Sequence, residues 1–381
     1  RYGMIKALSL FGEEVVRELL TVRRAKGAAD VDMLVDVLEQ VLADGVCYTV
    51  KAMEINGRDL MAEGISVRGV FASQGFVRER TFRGFPVESL GDVEAREGRV
   101  AAVLCFGLEG AEAFDFLRPV GEKHLLVSPA LPVYGEGRLD HAMVKQRAED
   151  IDRVDGWLAD DLSKDLYRRV LAYHLTGDLS YLEYPGESDQ APEAYYTHSR
   201  THLDVGAYDG DTALEYLASN PRCQKILAFE PNPQTFRKLQ KNTDPARVAC
   251  ILAACGAKDG FASRTGSGRG SRMEVGEGEV TVRALDSVCG YPYIHSQGIP
   301  VGSLKIDAEG EDLPVLQGAA NLITACRPIL CVSTYHRAGD LIDLPLVMKR
   351  LDYQSKLYFR KKPYVPAWDT VFYLVPNKED T

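Results

Sequence analysis

The sequence predicts an α/β fold whose second half is a parallel, doubly wound sheet, and three observations carry the prediction. An apolar strand pattern, Thr201 to Val205, breaks into the glycine turn Gly206-Ala207-Tyr208-Asp209-Gly210. A second apolar run, Ile226-Leu227-Ala228-Phe229, follows at the spacing of one βαβ unit and ends in Glu230. Strand and helix signals then alternate toward the carboxyl end, the pattern of parallel strands joined by crossover helices.

Taken in order, the turn leads into a helix that begins near Thr212 and carries Leu214, Tyr216 and Leu217. Glu230 lies about twenty positions beyond the turn, where doubly wound sheets hydrogen-bond the two hydroxyls of a ribose. Strand, glycine turn and strand-terminal carboxylate together fit an adenosine-type ligand. A dinucleotide site wants Gly-x-Gly-x-x-Gly, so that a pyrophosphate can rest on the helix amino end. Here Gly206 and Gly210 are surrounded by Asp204, Asp209 and Asp211. Those carboxylates repel a pyrophosphate and suit a cationic ligand with an amino acid tail, such as S-adenosylmethionine.

Further segments follow in a recognisable order: Phe229-Glu230-Pro231-Asn232-Pro233 with Leu239 and Asn242, then Ala284-Leu285-Asp286-Ser287-Val288. Leu304-Lys305-Ile306-Asp307-Ala308-Glu309-Gly310, Tyr335-His336 and Asp369-Thr370-Val371-Phe372-Tyr373 complete the series. With the Asp204–Thr212 turn, these make the last half of the chain resemble the FkbM-type S-adenosylmethionine-dependent methyltransferases. The resemblance implies a Rossmann-like class I methyltransferase sheet of seven strands, S-adenosylmethionine as cofactor and, usually, O-methylation. The expected donor-binding residues are Asp204, Gly206, Ala207, Tyr208, Gly210, Asp211, Thr212, Glu230, Pro231, Asn232 and Ala254. In that family a tyrosine ahead of the first strand often covers the donor pocket. Tyr195-Tyr196 stand there, and a surface aromatic closing the sheet edge reads equally well.

Ligands of an open α/β sheet sit beyond the carboxyl ends of its strands, so candidate bases should end strands. Methyl transfer to a hydroxyl needs a group that takes the proton as the new bond forms. Lys305 and Asp307 share one side of a strand by period-two alternation, with Glu309 just past its end. A lysine beside Asp307 holds it ionised, which makes it an orienter of the acceptor. The apolar run Pro328 to Thr334 ends in Tyr335-His336, and an imidazole of ordinary pKa suits proton abstraction at neutral pH. The expected catalytic set is therefore Asp307, His336, Lys305 and Glu309. Asp307, Glu309 and His336 are also able to hold a divalent ion. No compact ligand motif appears, and no metal is expected to be required. Asp286-Ser287 reads as a helix cap.

Acceptor choice is expected to fall to loops. Gly256 to Gly278 carries seven glycines and reads as a long, mobile lid. Tyr291, Tyr293 and His295 occupy a loop suited to stacking on a sugar, and Arg360 is a candidate for an anionic acceptor.

The front of the chain shows helical spacing over residues 10–45 and then alternating short strands and helices, among them Val67 to Phe71, Arg99 to Phe106, Glu109 to Leu117 and His124 to Val127. A smaller Rossmann-like α/β domain is expected over 1–137. Its turn Asn56-Gly57-Arg58-Asp59 has too few glycines for a phosphate cradle. Apolar residues from Met143 to Leu175 recur near 3.6-residue spacing, so 138–190 is expected as a helical connector and 191–381 as the methyltransferase domain.

With 381 residues, 45% of them hydrophobic, the chain can bury two cores. A formal charge of -10 and a pI near 5.3 argue against nucleic acid or an anionic membrane as partner. No apolar run approaches a membrane span, and the amino end shows no signal-peptide pattern. The eight cysteines are scattered without a Cys-x-x-Cys pair, as in a reduced, cytoplasmic protein. The expected partner is a small-molecule or carbohydrate acceptor, with a homodimer left open. The expected function is O-methylation of a sugar or glycosylated metabolite. The alternatives are a non-catalytic donor- or nucleotide-binding scaffold and a dinucleotide-dependent sugar-modifying enzyme.

Overall fold

The computed structural model describes residues 68–72, 81–82, 85–104, 107–110, 112–130, 132–135, 137–184, 187–197, 200–265, 272–276, 278–289, 301–352 and 354–377, together with Val35. The chain divides into two compact units. One comprises residues 1–130 with 172–183, the other 131–171 with 184–381. The helical stretch expected as a separate connector over 138–190 is thus shared between the units.

In the first unit, Val70–Ala72 pairs in parallel with Phe85–Ser89, and Ala101–Val103 pairs in parallel with Leu125–Val127. The helix Leu90–Glu97 starts on a capping box, in which Ser89 and Asp92 each accept from the other's backbone N–H. The helical spacing read over 10–45 and the turn Asn56–Asp59 lie outside the described residues.

The second unit is built on seven strands: β1 (Thr201–Val205), β2 (Lys225–Phe229), β3 (Val248–Ile251), β4 (Val301–Ile306), β5 (Ile329–Ser333), β6 (Lys356–Lys361) and β7 (Thr370–Val375). Their order across the sheet is β6-β7-β5-β4-β1-β2-β3, and β7 alone runs against its neighbours. Every residue of β1 and of β5 is buried. That explains why these strands read as continuous apolar runs: helices cover both faces of a parallel sheet. The chain winds outward from β1 to β3 and returns to β4 on the other side of β1. The strand order therefore reverses between β1 and β4, which is where an open sheet opens a crevice.

The helices are α1 (His141–Gln146), α2 (Ala148–Trp157), α3 (Asp161–Thr176), α4 (Glu193–Thr197), α5 (Asp211–Ser219), α6 (Pro233–Asn242), α7 (Leu285–Val288), α8 (Asp312–Gly318), α9 (Ala320–Cys326) and α10 (Asp340–Leu351). α6 starts where its sequence says it should. Asn232 accepts from the Gln234 N–H, and Pro233 occupies the first turn, where its missing N–H costs nothing.

The edge strand β6 is covered within this unit. Ala159 N–H donates to Leu357, Phe359 N–H donates to the Ser163 hydroxyl, and the Tyr167 ring meets Phe359 edge-on. An edge so occupied is closed to pairing with another chain.

Candidate active site

The carboxyl ends of β1, β2, β4 and β5 meet at the reversal point, and two backbone turns form its floor. Gly206 and Ala207 both donate to Phe229 O, and Asp307 N–H donates to Val205 O. Gly206 has φ +76°, and a Cβ there would stand 1.9 Å from Asp307 O. Only glycine lets the β1 turn and the β4 turn share this wall. Tyr208 (φ 49°) and Glu309 (φ 53°) also hold left-handed conformations, so each turn carries a strained non-glycine residue.

Glu230 closes the β2 side. Its Oε2 accepts from Tyr208 N–H at 3.1 Å and its Oε1 from Asn232 N–H at 2.7 Å. Burial pushes the carboxyl up to about 7 against these two N–H groups, which favour its charge. Each oxygen keeps a further lone pair, so the carboxylate is held in place and able to accept two hydroxyls. Pro231 is half-buried beside it, and Asn232 is occupied as the cap of α6.

Asp204, Thr212 and Lys305 come together beneath the turn rather than in the crevice. Asp204 is 0% exposed; its Oδ1 accepts from Lys305 Nζ at 3.1 Å and its Oδ2 from Thr212 Oγ1 at 2.7 Å. Lys305 Nζ also donates to Gly206 O at 3.2 Å. Burial opposes the lysine's charge, but Asp204 and Asp307 outweigh it and hold Lys305 above its ordinary range. These side chains staple the turn to β4. Asp211 is exposed in the first turn of α5, its Oδ1 taking the Thr212 N–H, and Ala207 is buried in the core. Ala254 lies in a strand paired with Val282, in a small separate sheet.

On the β4–β5 side the acids and the histidine converge. Asp307 Oδ1 accepts from the Tyr335 hydroxyl at 3.3 Å, and its Oδ2 lies 3.9 Å from Lys305 Nζ. Burial alone would raise the Asp307 carboxyl, yet His336 and Lys305 hold it well below the carboxylate range. Glu309, its side chain 40% exposed, is raised by burial and hydrogen-bonded to Tyr134.

His336 is completely buried. Its Nδ1 is 2.8 Å from Asp312 Oδ2, while Nε2 stands 3.3 Å from Asp307 Oδ1 and 3.8 Å from Glu309 Oε2. Burial disfavours the imidazolium, but Asp312 and Asp307 outweigh burial and keep it protonated well above the ordinary histidine range. The two carboxylates thus favour the charged imidazole, whereas the expected role as a base assumes an ordinary histidine.

Asp312, Tyr134, Arg337 and Asp340 escaped the sequence reading. Asp312 accepts from Ala308 N–H at 2.9 Å and Gly310 N–H at 3.2 Å, so it fixes the Asp307–Gly310 turn as well as the histidine. Tyr134 N–H donates to His336 O, and Arg337 donates to Gly310 O and Glu311. The one legible signal was the acidic run Glu309-Gly310-Glu311-Asp312, which resembles an ordinary solvated helix start.

Residues 204–355 match the family model of the methyltransferase FkbM domain. The chain carries an FkbM methyltransferase domain. It is similar to the hexuronic acid methyltransferase AglP of Haloferax volcanii, with 30% identity over 104 residues, which is 26% of this chain and 42% of that protein. The match thus spans less than half the length of that relative. In architecture the chain is similar to the crystal structure of methyltransferase FkbM from Methylobacillus flagellatus KT. That likeness has a TM-score of 0.57 and 21% identity, covering 77% of this chain and 80% of the other.

Several features around the FkbM domain's crevice differ from expectation. The glycine-rich stretch read as a lid contains an antiparallel pair, Gly260–Thr265 with Arg272–Gly276, and Gly260–Ala262 pairs onward with Val280–Val282. Alternating β-formers around Phe261 and Val275 outweigh the glycines there. Tyr195 is a core residue packed edge-on against Tyr216 and Tyr373, so it does not cover the donor side. Arg360 is spent on Asp160, Ser163 and Gln190 O and is closed to an anionic acceptor. Asp286 is a cap, but of α9: it accepts from Asn321 and Leu322 N–H. Tyr291, Tyr293 and His295 lie outside the described residues. No helix among the described residues is long and apolar enough to cross a membrane.

Proposed function

We propose that the protein is an S-adenosylmethionine-dependent O-methyltransferase acting on a hydroxyl of a sugar or glycosylated metabolite. One observation carries the reading: the Gly206 turn and the Asp307 turn share a backbone wall. That wall sets the diol-accepting Glu230 beside the Asp307–Glu309 acids. The cradle suits the donor on its own terms. Glu230 is a fixed acceptor pair for a ribose diol, and the surrounding acids favour a sulfonium and an ammonium group.

When bound, S-adenosylmethionine supplies an electrophilic methyl group on a positively charged sulfur. Transfer makes an O–CH3 bond and breaks the C–S bond, so the acceptor oxygen must give up its proton. Asp307, held ionised, accepts the hydroxyl hydrogen and orients the oxygen. Glu309, raised toward the working pH by burial, is the better final holder of the proton. His336 and Lys305 keep Asp307 charged, and in-line alignment supplies most of the acceleration. The name of the AglP relative supports a carbohydrate acceptor.

The test is incubation with methyl-labelled S-adenosylmethionine and a panel of free sugars, nucleotide sugars and glycosides. Alkali-stable label in a carbohydrate product is the expected outcome, because a methyl ether resists mild alkali. Alkali-labile label would replace the hydroxyl by a carboxylate acceptor. No transfer across the panel by protein that binds S-adenosylhomocysteine would remove the sugar reading.

A further inference from the structure

The β4–β5 side of the crevice carries carboxylates that solvent reaches, and the cations that meet them are already engaged. Asp307, Glu309 and Glu311 follow one another past the end of β4 with side chains 29%, 40% and 22% exposed. Asp312 and Asp340 lie buried behind them. Asp369 stands just ahead of β7 in a left-handed conformation (φ 54°), near enough to Tyr335 to oppose ionisation of that phenol. The acids raise one another. Asp312 adds to the burial that pushes Asp340 up to about 7, and Glu309 adds to the burial that raises Glu230.

Lys305 is buried, its Nζ 3.1 Å from Asp204 Oδ1 and 3.9 Å from Asp307 Oδ2. His336 is completely buried between Asp312 at 2.8 Å and Asp307 at 3.3 Å. Lys361, near Asp369, is buried with its Nζ on the Lys362 and Tyr364 carbonyls. Arg337 is the exposed one; it donates to Gly310 O and meets Glu311 Oε1 at 2.9 Å.

We infer that this side of the crevice selects a sugar acceptor without an acid group, taking its hydroxyls on Asp307 and Glu309 and turning away uronates and sugar phosphates. An ionised carboxylate accepts a hydroxyl hydrogen, whereas a second anion brings none to give. An anion pressed against Asp307 and Glu309 sheds its water and meets like charge, which is how a site rejects a close analogue without any change of shape. A sugar acid needs a guanidinium with charge to spare, and Glu311 matches Arg337. Glu309 thus acts on the ring itself, and Glu311 acts through Arg337. The selection rests on the methyl-transfer reading of the crevice, and the experiment separates the two.

The full chain is incubated with methyl-labelled S-adenosylmethionine and matched acceptor pairs in the gluco, galacto and manno series. Each pair is a neutral methyl glycoside and the methyl glycuronide that differs from it only by oxidation of the primary alcohol to a carboxylate. Transfer to the neutral member should exceed transfer to the glycuronide by about tenfold or more in kcat/KM at low salt. The gap should narrow in about 0.5 M NaCl, because salt screens charge selection and leaves shape selection alone. Glu311→Gln keeps an acceptor for Arg337 but removes its counter-charge, so glycuronide transfer should rise about fivefold or more relative to the neutral partner. Glu309→Gln should move the ratio the same way even where it slows both reactions. Equal or better transfer to a glycuronide in the parent overturns the inference and leaves methyl transfer standing. So does a ratio that neither salt nor Glu311→Gln moves. S-adenosylhomocysteine binding is measured alongside by calorimetry. Binding without transfer to any pair removes the sugar acceptor and this selection together, whereas absence of binding removes the donor reading beneath both.

Discussion

Donor binding should depend on pH through Glu230 alone among the residues around the β1 turn, and the sign follows from its surroundings. Burial raises this carboxyl from 4.5 to about 7 in the free protein. Accepting two ribose hydroxyls favours the charged form, so the bound protein holds the proton less tightly. Affinity is then at its full value above pH 7 and falls below it, by about tenfold between pH 8 and pH 6 for a group titrating near 7. The same raised value acts on folding in the free protein. The folded state holds the proton more tightly than the unfolded chain, so stability is fully present below about pH 4.5 and declines as pH rises through 7. At 1.36 kcal/mol per pH unit, the loss has a ceiling of about 3 kcal/mol. Calorimetric titration with S-adenosylhomocysteine from pH 5.5 to 8.5, repeated on Glu230→Gln, reads the binding arm. The variant should bind ten- to a hundredfold more weakly at pH 8 and show a flat profile. A flat profile in the parent, or a slope that survives in Glu230→Gln, would refute the assignment.

Three further perturbations separate the turn from its supports. Gly206→Ala places a methyl group on Asp307 O at a left-handed position. It should cost at least about 2 kcal/mol in denaturant unfolding and more than tenfold in S-adenosylhomocysteine affinity. Asp204→Asn leaves Lys305 buried with its main counter-charge gone, so about 3 kcal/mol of unfolding free energy should be lost. Asp286→Ala removes the acceptor for two amides at the start of α9 and should cost about 1 kcal/mol, read as a lower melting temperature, with donor affinity unchanged.

What the sequence made legible was whatever lay contiguous along it. The β1 turn, Glu230 and the Asp307–Gly310 turn each read correctly as strand endings, because a buried parallel strand writes an uninterrupted apolar run before its functional end. Pairings across the sheet were invisible. Lys305 lies directly beside Asp204 in the β4–β1 register, so it neutralises an aspartate distant in the chain as well as neighbouring Asp307. No local pattern announces that pairing, or the bond from Thr212 Oγ1 to Asp204 that ties α5 to the turn. The partner of His336 was hidden for the same reason, since Asp312 reaches it from the first turn of α8. Composition misled only at Gly256–Gly278, where glycines between β-formers turned out to flank paired strands.

The same asymmetry separates the two sides of the crevice. On the proposed reading the donor cradle is written in two short motifs, whereas the acceptor wall would include a loop far upstream. Tyr134 donates its N–H to His336 O at 2.8 Å, packs its ring 5.9 Å from the imidazole, and reaches Glu309 with its hydroxyl. The Gly310 backbone approaches it so closely that a Cβ there would stand 3.1 Å from Tyr134 Cβ. None of these contacts involves Gly206, Gly210 or Glu230. Tyr134→Ala should therefore leave S-adenosylhomocysteine affinity within twofold while lowering kcat/KM for the acceptor at least tenfold, once an acceptor is in hand. A melting-temperature check separates this from a general loss of fold. Should donor affinity fall with Tyr134 while the acceptor KM stays put, the loop belongs to the donor side and the division of the crevice drawn here is wrong.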